Sequence, residues 1–197
     1  MNAAAPVFGL ILAGGLSSRM QRDKAALLYG GRSQLDRAFE LASRHTLKTF
    51  VSIRPGQIGD PVRAHRPVIV DSVLGEGPVV GIRSALAAYP YASWLVLACD
   101  LPFLSDAALE LLLRERDPAG LATAYRSAHD GQPEPLCAIW EPTAALPLAE
   151  YQETGASCPR KFLIRHAVRL LEPADQHVLD NINTPEDYAR ALAALER

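Results

Sequence analysis

The segment Phe8–Lys24 has the sequence FGLILAGGLSSRMQRDK, and it decides how the rest of the chain is interpreted. A short apolar run of strand length ends in two glycines, Gly14 and Gly15, and two cations follow, Arg19 and Lys24. Glycines after a strand let the backbone approach a ligand closely and direct N–H groups toward it. Because two cations share the loop, the segment predicts a turn that holds a polyphosphate.

The same segment excludes two common nucleotide-binding motifs. It contains neither the G-x-x-x-x-G-K-[ST] of a P-loop nor the G-x-G-x-x-G of a dinucleotide-binding turn. For the glycines alone, an ordinary strand-to-helix turn with solvated charges is an equally good interpretation. The phosphate hypothesis therefore depends on support from the remainder of the chain.

Strand-like apolar runs alternate with helical patterns along the chain. Strands are predicted over 7–13, 49–54, 66–71, 93–100, 120–125 and 134–140, and helices over 34–45, 78–89, 105–116 and 185–195. Apolar strands separated by helices indicate a mainly parallel sheet covered on both faces. We therefore predict an α/β three-layer sandwich. The stretch 150–162 shows no clear period and is interpreted as irregular, at the possible border of a smaller lobe.

Size and composition predict one domain over residues 1–197 and exclude several classes of protein. Hydrophobic residues make up 49% of the chain and the formal net charge is −2, which argues against a nucleic-acid partner. The three cysteines and five histidines match no disulfide or zinc template, as expected for a cytoplasmic protein. We also expect no signal peptide and no membrane partner, because no run approaches the roughly 20 apolar residues of a membrane span.

Two acidic residues follow predicted strands, where parallel sheets bind ligands. Asp100 ends the most apolar strand and is the best candidate for a magnesium ligand, because magnesium favours a carboxylate with phosphate oxygens and water. The alternative for Asp100 is a cap that stiffens its loop. Asp71 also follows a strand, and from its position alone it suits a turn in which its side chain accepts a backbone hydrogen bond.

Four motifs together carry a family resemblance. They are L-A-G-G-x-S-x-R-M with D-K over 12–24, EGPVVGIRSAL over 76–86, LACDLPFL over 97–104 and NINTPEDY over 181–188. In this order they resemble the signatures of the molybdenum cofactor guanylyltransferase family. The resemblance implies a nucleotide-diphospho-sugar-transferase-like fold and covers nearly the whole chain.

The resemblance also implies a reaction and a set of site residues. A member of this family uses magnesium to transfer GMP from GTP to a molybdopterin-type cofactor, and pyrophosphate is released. The catalytic residues would be Arg19, Lys24 and Asp100, with Asp100 as metal ligand; nucleotide contacts would come from Leu12, Ala13, Gly14, Gly15, Lys24, Asp71 and Asp100, and acceptor contacts from Asn181 and Asn183. Residues of about 130–185 would build the acceptor side. Molybdenum-insertion proteins or molybdoenzyme chaperones are candidate partners.

The chain departs from the family pattern in two places. Gln21 and Arg22 replace glycines between R-M and D-K, and the segment VSIRP offers Ser52 and Arg54 where many members have an asparagine. Three alternatives stay open: a cytidylyltransferase, a nucleotidyltransferase with a sugar-phosphate acceptor, and an inactive nucleotide-binding or partner-binding protein. The two asparagines near the last helix have the alternative role of capping it.

Overall fold

The structure of the protein, a computed structural model, describes residues 5–14 and 23–195. The strands are β1 (Val7–Leu12), β2 (Leu28–Tyr29), β3 (Arg32–Ser33), β4 (Thr49–Ile53), β5 (Val68–Val70), β6 (Ser93–Ala98), β7 (Ala122–Arg126), β8 (Pro133–Trp140) and β9 (Arg169–Leu171). The helices are α1 (Gln34–His45), α2 (Pro78–Ala88), α3 (Asp106–Arg114), α4 (Ala145–Glu153), α5 (Pro159–Arg165) and α6 (Pro185–Leu195). Within the described ranges, no helix combines the length and apolarity needed to cross a membrane.

Seven of the strands form one sheet in the order β5-β4-β1-β6-β8-β7-β9, and β2 pairs with β3 in a separate hairpin. β1 is parallel to both β4 and β6, whereas β8 is antiparallel to both of its neighbours. The chain therefore moves outward from β1 to β5 and then returns to add β6 on the other side of β1. Such a reversal leaves a crevice at the carboxyl ends of the strands, where α/β sheets bind ligands.

Helices cover both faces of this sheet. Successive side chains of a strand point to opposite faces, and Leu10 and Ile11 of β1 accordingly belong to different hydrophobic clusters. Leu10 packs in the cluster that contains Ile82 of α2 and Phe162 of α5. Ile11 packs in the cluster that contains Leu35 of α1 and residues of α3. The three-layer α/β prediction is confirmed.

The interpretation of 150–162 as irregular is wrong, because the end of α4 and the start of α5 lie there. Gly155 with φ of 82° separates the two helices, and Pro159 occupies the first turn of the second. Leu148 and Tyr151 of α4 are buried, whereas Leu146 of the same helix is 67% exposed, so the apolar residues of this segment do not line one face that a helical period would reveal. Helix α5 contacts β8 of the large sheet, and α4 contacts α2.

Helix α2 approaches the sheet closely through a glycine. A Cβ atom added to Gly81 would lie 2.4 Å from the Ser52 Oγ and 2.9 Å from the Leu12 Cδ2. Real Cβ contacts are longer than these, so only a residue without a side chain fits between α2 and the ends of β1 and β4. This contact brings the first turns of α2 next to the crevice.

We expect Gly81→Ala to lower the free energy of unfolding by about 1–3 kcal/mol, the usual cost of overpacking a core. An open helical site would give the opposite sign, since alanine favours a helix over glycine by about 1 kcal/mol. Urea denaturation measures the difference. Gly56→Ala is the control, because a Cβ there meets nothing within 4 Å. A stabilised Gly81→Ala protein would contradict the close approach.

Candidate active site

A cleft of about 890 Å³ lies at the carboxyl ends of β1, β4, β5 and β6. Strand pairing assembles it, because Leu12 at the end of β1 pairs with Ser52 of β4 and with Ala98 of β6. The cleft brings together these residues predicted from the sequence: Leu12, Ala13, Gly14, Lys24, Asp71, Asp100 and Asn183. The predicted roles of Gly15 and Arg19 lie outside the described residues.

Lys24, Asp100 and Asn183 make the central polar contact of the cleft. The Lys24 ammonium donates to the Asp100 Oδ2 at 2.8 Å and to the Asn183 Oδ1 at 2.7 Å. The side chains of Lys24 and Asp100 are 16% and 19% exposed, so solvent screens their attraction only in part. One cation, one carboxylate and one amide oxygen therefore meet in a half-buried position.

The residues around Asn183 fix its side chain toward this contact. The Ile182 N–H donates to the Asp100 carbonyl at 3.1 Å and ties the C-terminal segment to the end of β6. The Asn183 amide donates to the Asn181 Oδ1 at 2.8 Å. Asn181 is exposed and does not line the cleft, so in the structure it orients Asn183.

The capping of α6 is done by other residues than the two asparagines. The Asp187 N–H donates to the Thr184 Oγ1 at 3.1 Å, and the Thr184 N–H donates to the Asp187 Oδ2 at 3.0 Å. This reciprocal pair is a capping box. The Asp187 Oδ2 also accepts the N–H of Asn183 at 3.1 Å, which leaves the Asn183 side chain to face Lys24.

Asp71 occupies a second, less polar part of the cleft. The Ser52 hydroxyl donates to the Asp71 Oδ1 at 3.0 Å, which is a side-chain bond and not the turn-forming backbone bond of the alternative interpretation. Burial raises the pKa of Asp71, and the Ser52 hydrogen bond and the charge of Arg54 act in the opposite direction. Both residues at the departure from the family pattern therefore lie beside this carboxylate.

Arg54 also lies next to the glycine turn. A Cβ on Gly14 would be 3.6 Å from the Arg54 Cγ, and Arg54 lines the cleft. Its Nε is buried and has no hydrogen-bond partner in the part of the chain that the structure describes. A buried donor without a partner costs about 1–3 kcal/mol, so a guanidinium here favours a bound acceptor.

The oxygen atoms of the central contact suit a hard divalent cation. Asp100 and Asn183 offer a carboxylate oxygen and an amide oxygen. Among residues 5–14 and 23–195 there is no group of three or more His, Cys, Asp or Glu that could hold a metal. An ion at Asp100 would therefore need further ligands from substrate and water, which is how magnesium binds beside phosphates.

Burial raises the pKa of Cys99 to about 12, so its thiol stays protonated and is a poor nucleophile.

Comparisons with known proteins identify the family. Residues 9–170 match the model of the MobA-like NTP transferase domain. A molybdenum cofactor guanylyltransferase from Cereibacter sphaeroides is 34% identical over 97% of this chain and 98% of its own. The chain belongs to the molybdenum cofactor guanylyltransferase family. The resemblance noted in the sequence is confirmed, and the protein is a nucleotidyltransferase.

Two further guanylyltransferase-related proteins extend this similarity. A molybdenum cofactor biosynthesis bifunctional protein from Synechocystis is 35% identical over 94% of this chain, which spans 53% of that longer protein. The crystal structure of molybdopterin-guanine dinucleotide biosynthesis protein A from Archaeoglobus fulgidus superposes with a TM-score of 0.78 at 25% identity, covering 96% of this chain and 98% of the other. The Archaeoglobus protein therefore shares the sandwich fold of this chain.

Sequence reasoning missed one residue that shapes the cleft of this guanylyltransferase-family protein. Arg63 is 1% exposed, and its guanidinium donates to the carbonyl of Ala13 and to the carboxylates of Asp23 and Asp60. It lies in the polar stretch DPVRAHRP over 60–67, which matches none of the four family motifs. A polar stretch of this kind is typical of a surface loop, so the sequence contains no signal for a buried arginine.

The cap that orients Asn183 predicts a pH dependence of stability. The N–H of Asn183 and then the side chain of Arg190 lower the pKa of Asp187 from 3.8 to about 2. Because the folded-state pKa is depressed, the stabilisation is present above about pH 4 and is lost as the pH falls toward 2. We expect Asp187→Asn to cost about 0.3–1 kcal/mol at pH 7, the usual contribution of a negative charge at a helix N-terminus, and much less near pH 2, measured by urea denaturation.

Glu186→Gln is the matched control, because it neutralises an exposed carboxylate in the same turn of α6. A loss for this control equal to that of Asp187→Asn would indicate a general charge effect at the helix end and would contradict the specific cap.

Proposed function

We propose that the protein transfers GMP from GTP to the phosphate of a molybdopterin-type cofactor and so forms its guanine dinucleotide. The observation that carries this proposal is the contact of Lys24 with Asp100 and Asn183, residues 76 and 159 positions away in sequence. A fold that brings three such groups together in one cleft supports a site for polyphosphate chemistry. The names of the guanylyltransferase relatives support the choice of substrates.

In this reaction an oxygen of the acceptor phosphate attacks the α-phosphorus of GTP. The bond between the α-phosphorus and the bridging oxygen breaks, and pyrophosphate leaves with the electron pair. Phosphoryl-type chemistry needs in-line positioning and neutralised charge more than covalent help. Lys24 would neutralise the triphosphate, the backbone at Gly14 would contact it, and Arg19 would add a second cation. Loss of one preorganised charge of this kind lowers a rate by about 10²–10³-fold.

We propose Mg²⁺ as the divalent ion, held by Asp100 with help from the Asn183 amide oxygen. When bound, the ion would neutralise the phosphate oxygens and favour departure of pyrophosphate. In the structure Lys24 neutralises Asp100. Because the Lys24 ammonium lies 2.8 Å from Asp100, it would also contact the phosphates that an ion at Asp100 would bind.

The base would lie beside Gly14, where Ser52, Arg54 and Asp71 line the cleft. Guanine presents two N–H donors on its Watson–Crick edge and two acceptors, O6 and N7, toward the major groove. The Asp71 carboxylate can accept from the donors, because a carboxylate has about four lone-pair sites and Ser52 uses one. The Arg54 guanidinium can donate to O6 and N7, as arginines do to guanine in DNA. Arg54 would thus act where many relatives have asparagine.

The acceptor would occupy the other end of the cleft, beside Asn183. Leu136 of β8 and Asn183 are cleft residues from the range 130–185 that we expect to build this side. Arg160 is already paired with Asp130 at 3.0 Å and with Glu134 at 2.9 Å. The acceptor phosphate would therefore meet Lys24 and the bound ion. The product would pass to molybdenum-insertion proteins or molybdoenzyme chaperones in the cytoplasm.

We expect Asp100→Asn to lower kcat by about 10²-fold or more and to weaken activation by Mg²⁺, because an amide is a poor ligand of the same shape. Steady-state kinetics over a magnesium titration measure both effects. Asp117→Asn is the control, since Asp117 precedes β7 at the opposite edge of the sheet and its N–H bonds to Thr123. Unchanged turnover and magnesium dependence in Asp100→Asn would remove Asp100 from the metal site.

We expect kcat/KM for GTP to exceed that for CTP by about tenfold to a hundredfold, because one unmade buried hydrogen bond costs about 1–3 kcal/mol. Arg54→Leu should narrow this ratio, whereas Arg66→Leu, outside the cleft, should not. Assays with GTP, CTP and ATP and one molybdopterin acceptor measure the ratios. Equal or better use of CTP by the wild type would favour the cytidylyltransferase alternative, and no transfer with any nucleotide would favour an inactive binding protein.

A further inference from the structure

Arg63 uses every donor of its guanidinium inside the protein. The Nε and Nη2 donate to the Ala13 carbonyl at 3.0 and 2.7 Å. The Nη1 and Nη2 donate to the Asp23 carboxylate at 2.7 and 3.0 Å, and the Nη1 also donates to the Asp60 Oδ2 at 3.1 Å. An arginine has five N–H donors, so Arg63 has none left for a substrate.

These partners stand on either side of the glycine turn. Ala13 follows β1 and directly precedes Gly14, whereas Asp23 directly precedes Lys24. The Asp23 Oδ1 also accepts the N–H of Ala25 at 3.0 Å and so caps the short 3-10 turn that carries Lys24. One buried cation therefore joins the backbone before the turn to the carboxylate after it.

This arrangement fixes the distance between two groups that the proposed reaction needs together. The backbone at Gly14 and the ammonium of Lys24 would both contact the nucleotide. Gly14 lies after the end of β1, and Lys24 begins a single 3-10 turn, so regular secondary structure alone does not hold the two groups in place. The planar fork of an arginine sets a carbonyl and a carboxylate at defined angles, which a lysine cannot do.

Arg63 also governs the charge near the triphosphate. Asp23 and Asp60 are 36% and 29% exposed, and Arg63 neutralises part of their combined charge. Asp23 lines the cleft, so without the guanidinium its carboxylate and a polyanionic substrate would repel each other. Their repulsion would act on the phosphates more than on the base, because Coulomb energy depends on the charge of the ligand.

We propose that Arg63 is a positioning residue for nucleotidyl transfer: it holds the Gly14 backbone and Lys24 at the separation that a bound triphosphate requires. The proposal rests on the proposed function. Arg63 touches no substrate and acts through Ala13 and Asp23. Misplacement of a reacting group by about 1 Å can cost about 10²-fold in rate.

The chain offers a matched control in Arg116. Its side chain is only 9% exposed, and its guanidinium donates to Glu141 at 2.9 Å, to the Ser93 hydroxyl at 2.7 Å and to the Ala5 carbonyl at 3.0 Å. Ser93 is the first residue of β6, so this network lies at the amino edge of the sheet, away from the cleft. Arg63→Lys and Arg116→Lys therefore remove comparable buried hydrogen bonds at opposite edges.

The experiment compares the two variants with the wild type by Tm, by calorimetric affinity for GTP and for guanosine, and by kcat/KM for transfer. We expect both variants to lower Tm. Only Arg63→Lys should lower kcat/KM, by about 10²-fold, and should weaken GTP binding more than guanosine binding. Asp23→Asn should also lower kcat/KM, because it removes two of the bonds that hold Lys24 in place, and a double variant with Arg63→Lys should show less than the sum of the two losses of kcat/KM.

The outcomes separate the two proposals. Equal kinetic losses in Arg63→Lys and Arg116→Lys, or equal losses of GTP and guanosine binding in Arg63→Lys, would overturn the positioning role and leave the proposed function standing. If Arg63→Lys does not fold, Asp23→Asn provides the kinetic comparison, and wild-type kcat/KM for transfer in that variant would overturn the role. A wild type that neither binds nor transfers GTP would overturn the proposed function and the positioning role with it.

Discussion

Parallel pairing of β1 with both β4 and β6 is the constraint on which the site depends. Parallel neighbours must end at the same edge of a sheet, so the residues that follow β1, β4, β5 and β6 converge even though long stretches of chain separate them. The glycine turn, Asp71 and Asp100 are adjacent for this reason alone. The backbone hydrogen bonds of the sheet bring these residues together, and side-chain contacts then set their exact positions.

Two kinds of contact complete what the sheet begins. Arg63 connects the Ala13 carbonyl to the Asp23 carboxylate. The capping box at the start of the last helix directs Asn183 into the cleft. Both use charged groups that lie off the sheet. The precision of the site therefore comes from loops tied down by hydrogen bonds, because irregular segments have no repeating pattern to position them.

Sequence patterns predicted the parts that repeat. Apolar period and flanking Gly, Pro and Asp located β1, β6, α1, α2 and α6 within a few residues, and with them the strand ends at Asp71 and Asp100. The helix α4 was not predicted because its apolar residues do not line one face: Leu148 is buried, whereas Leu146 is exposed. The role of Arg63 was not predicted for a different reason. Its hydrogen-bond partners lie 50 and 40 residues earlier in the chain, and local composition gives no information on such distant contacts. The roles proposed for the site residues remain predictions.

The contact between Lys24 and Asn183 spans 159 positions of the sequence. During synthesis, Lys24 and Asp100 leave the ribosome long before Asn183 and α6, which supply the amide and the cap. A growing chain that has already formed β1, β4, β5 and β6 therefore still lacks the Asn183 side of the cleft. Lys24 and Asp100 can accordingly meet before the amide that completes their contact is present, so assembly of the site ends when the segment at Ile182 and Asn183 binds to the end of β6.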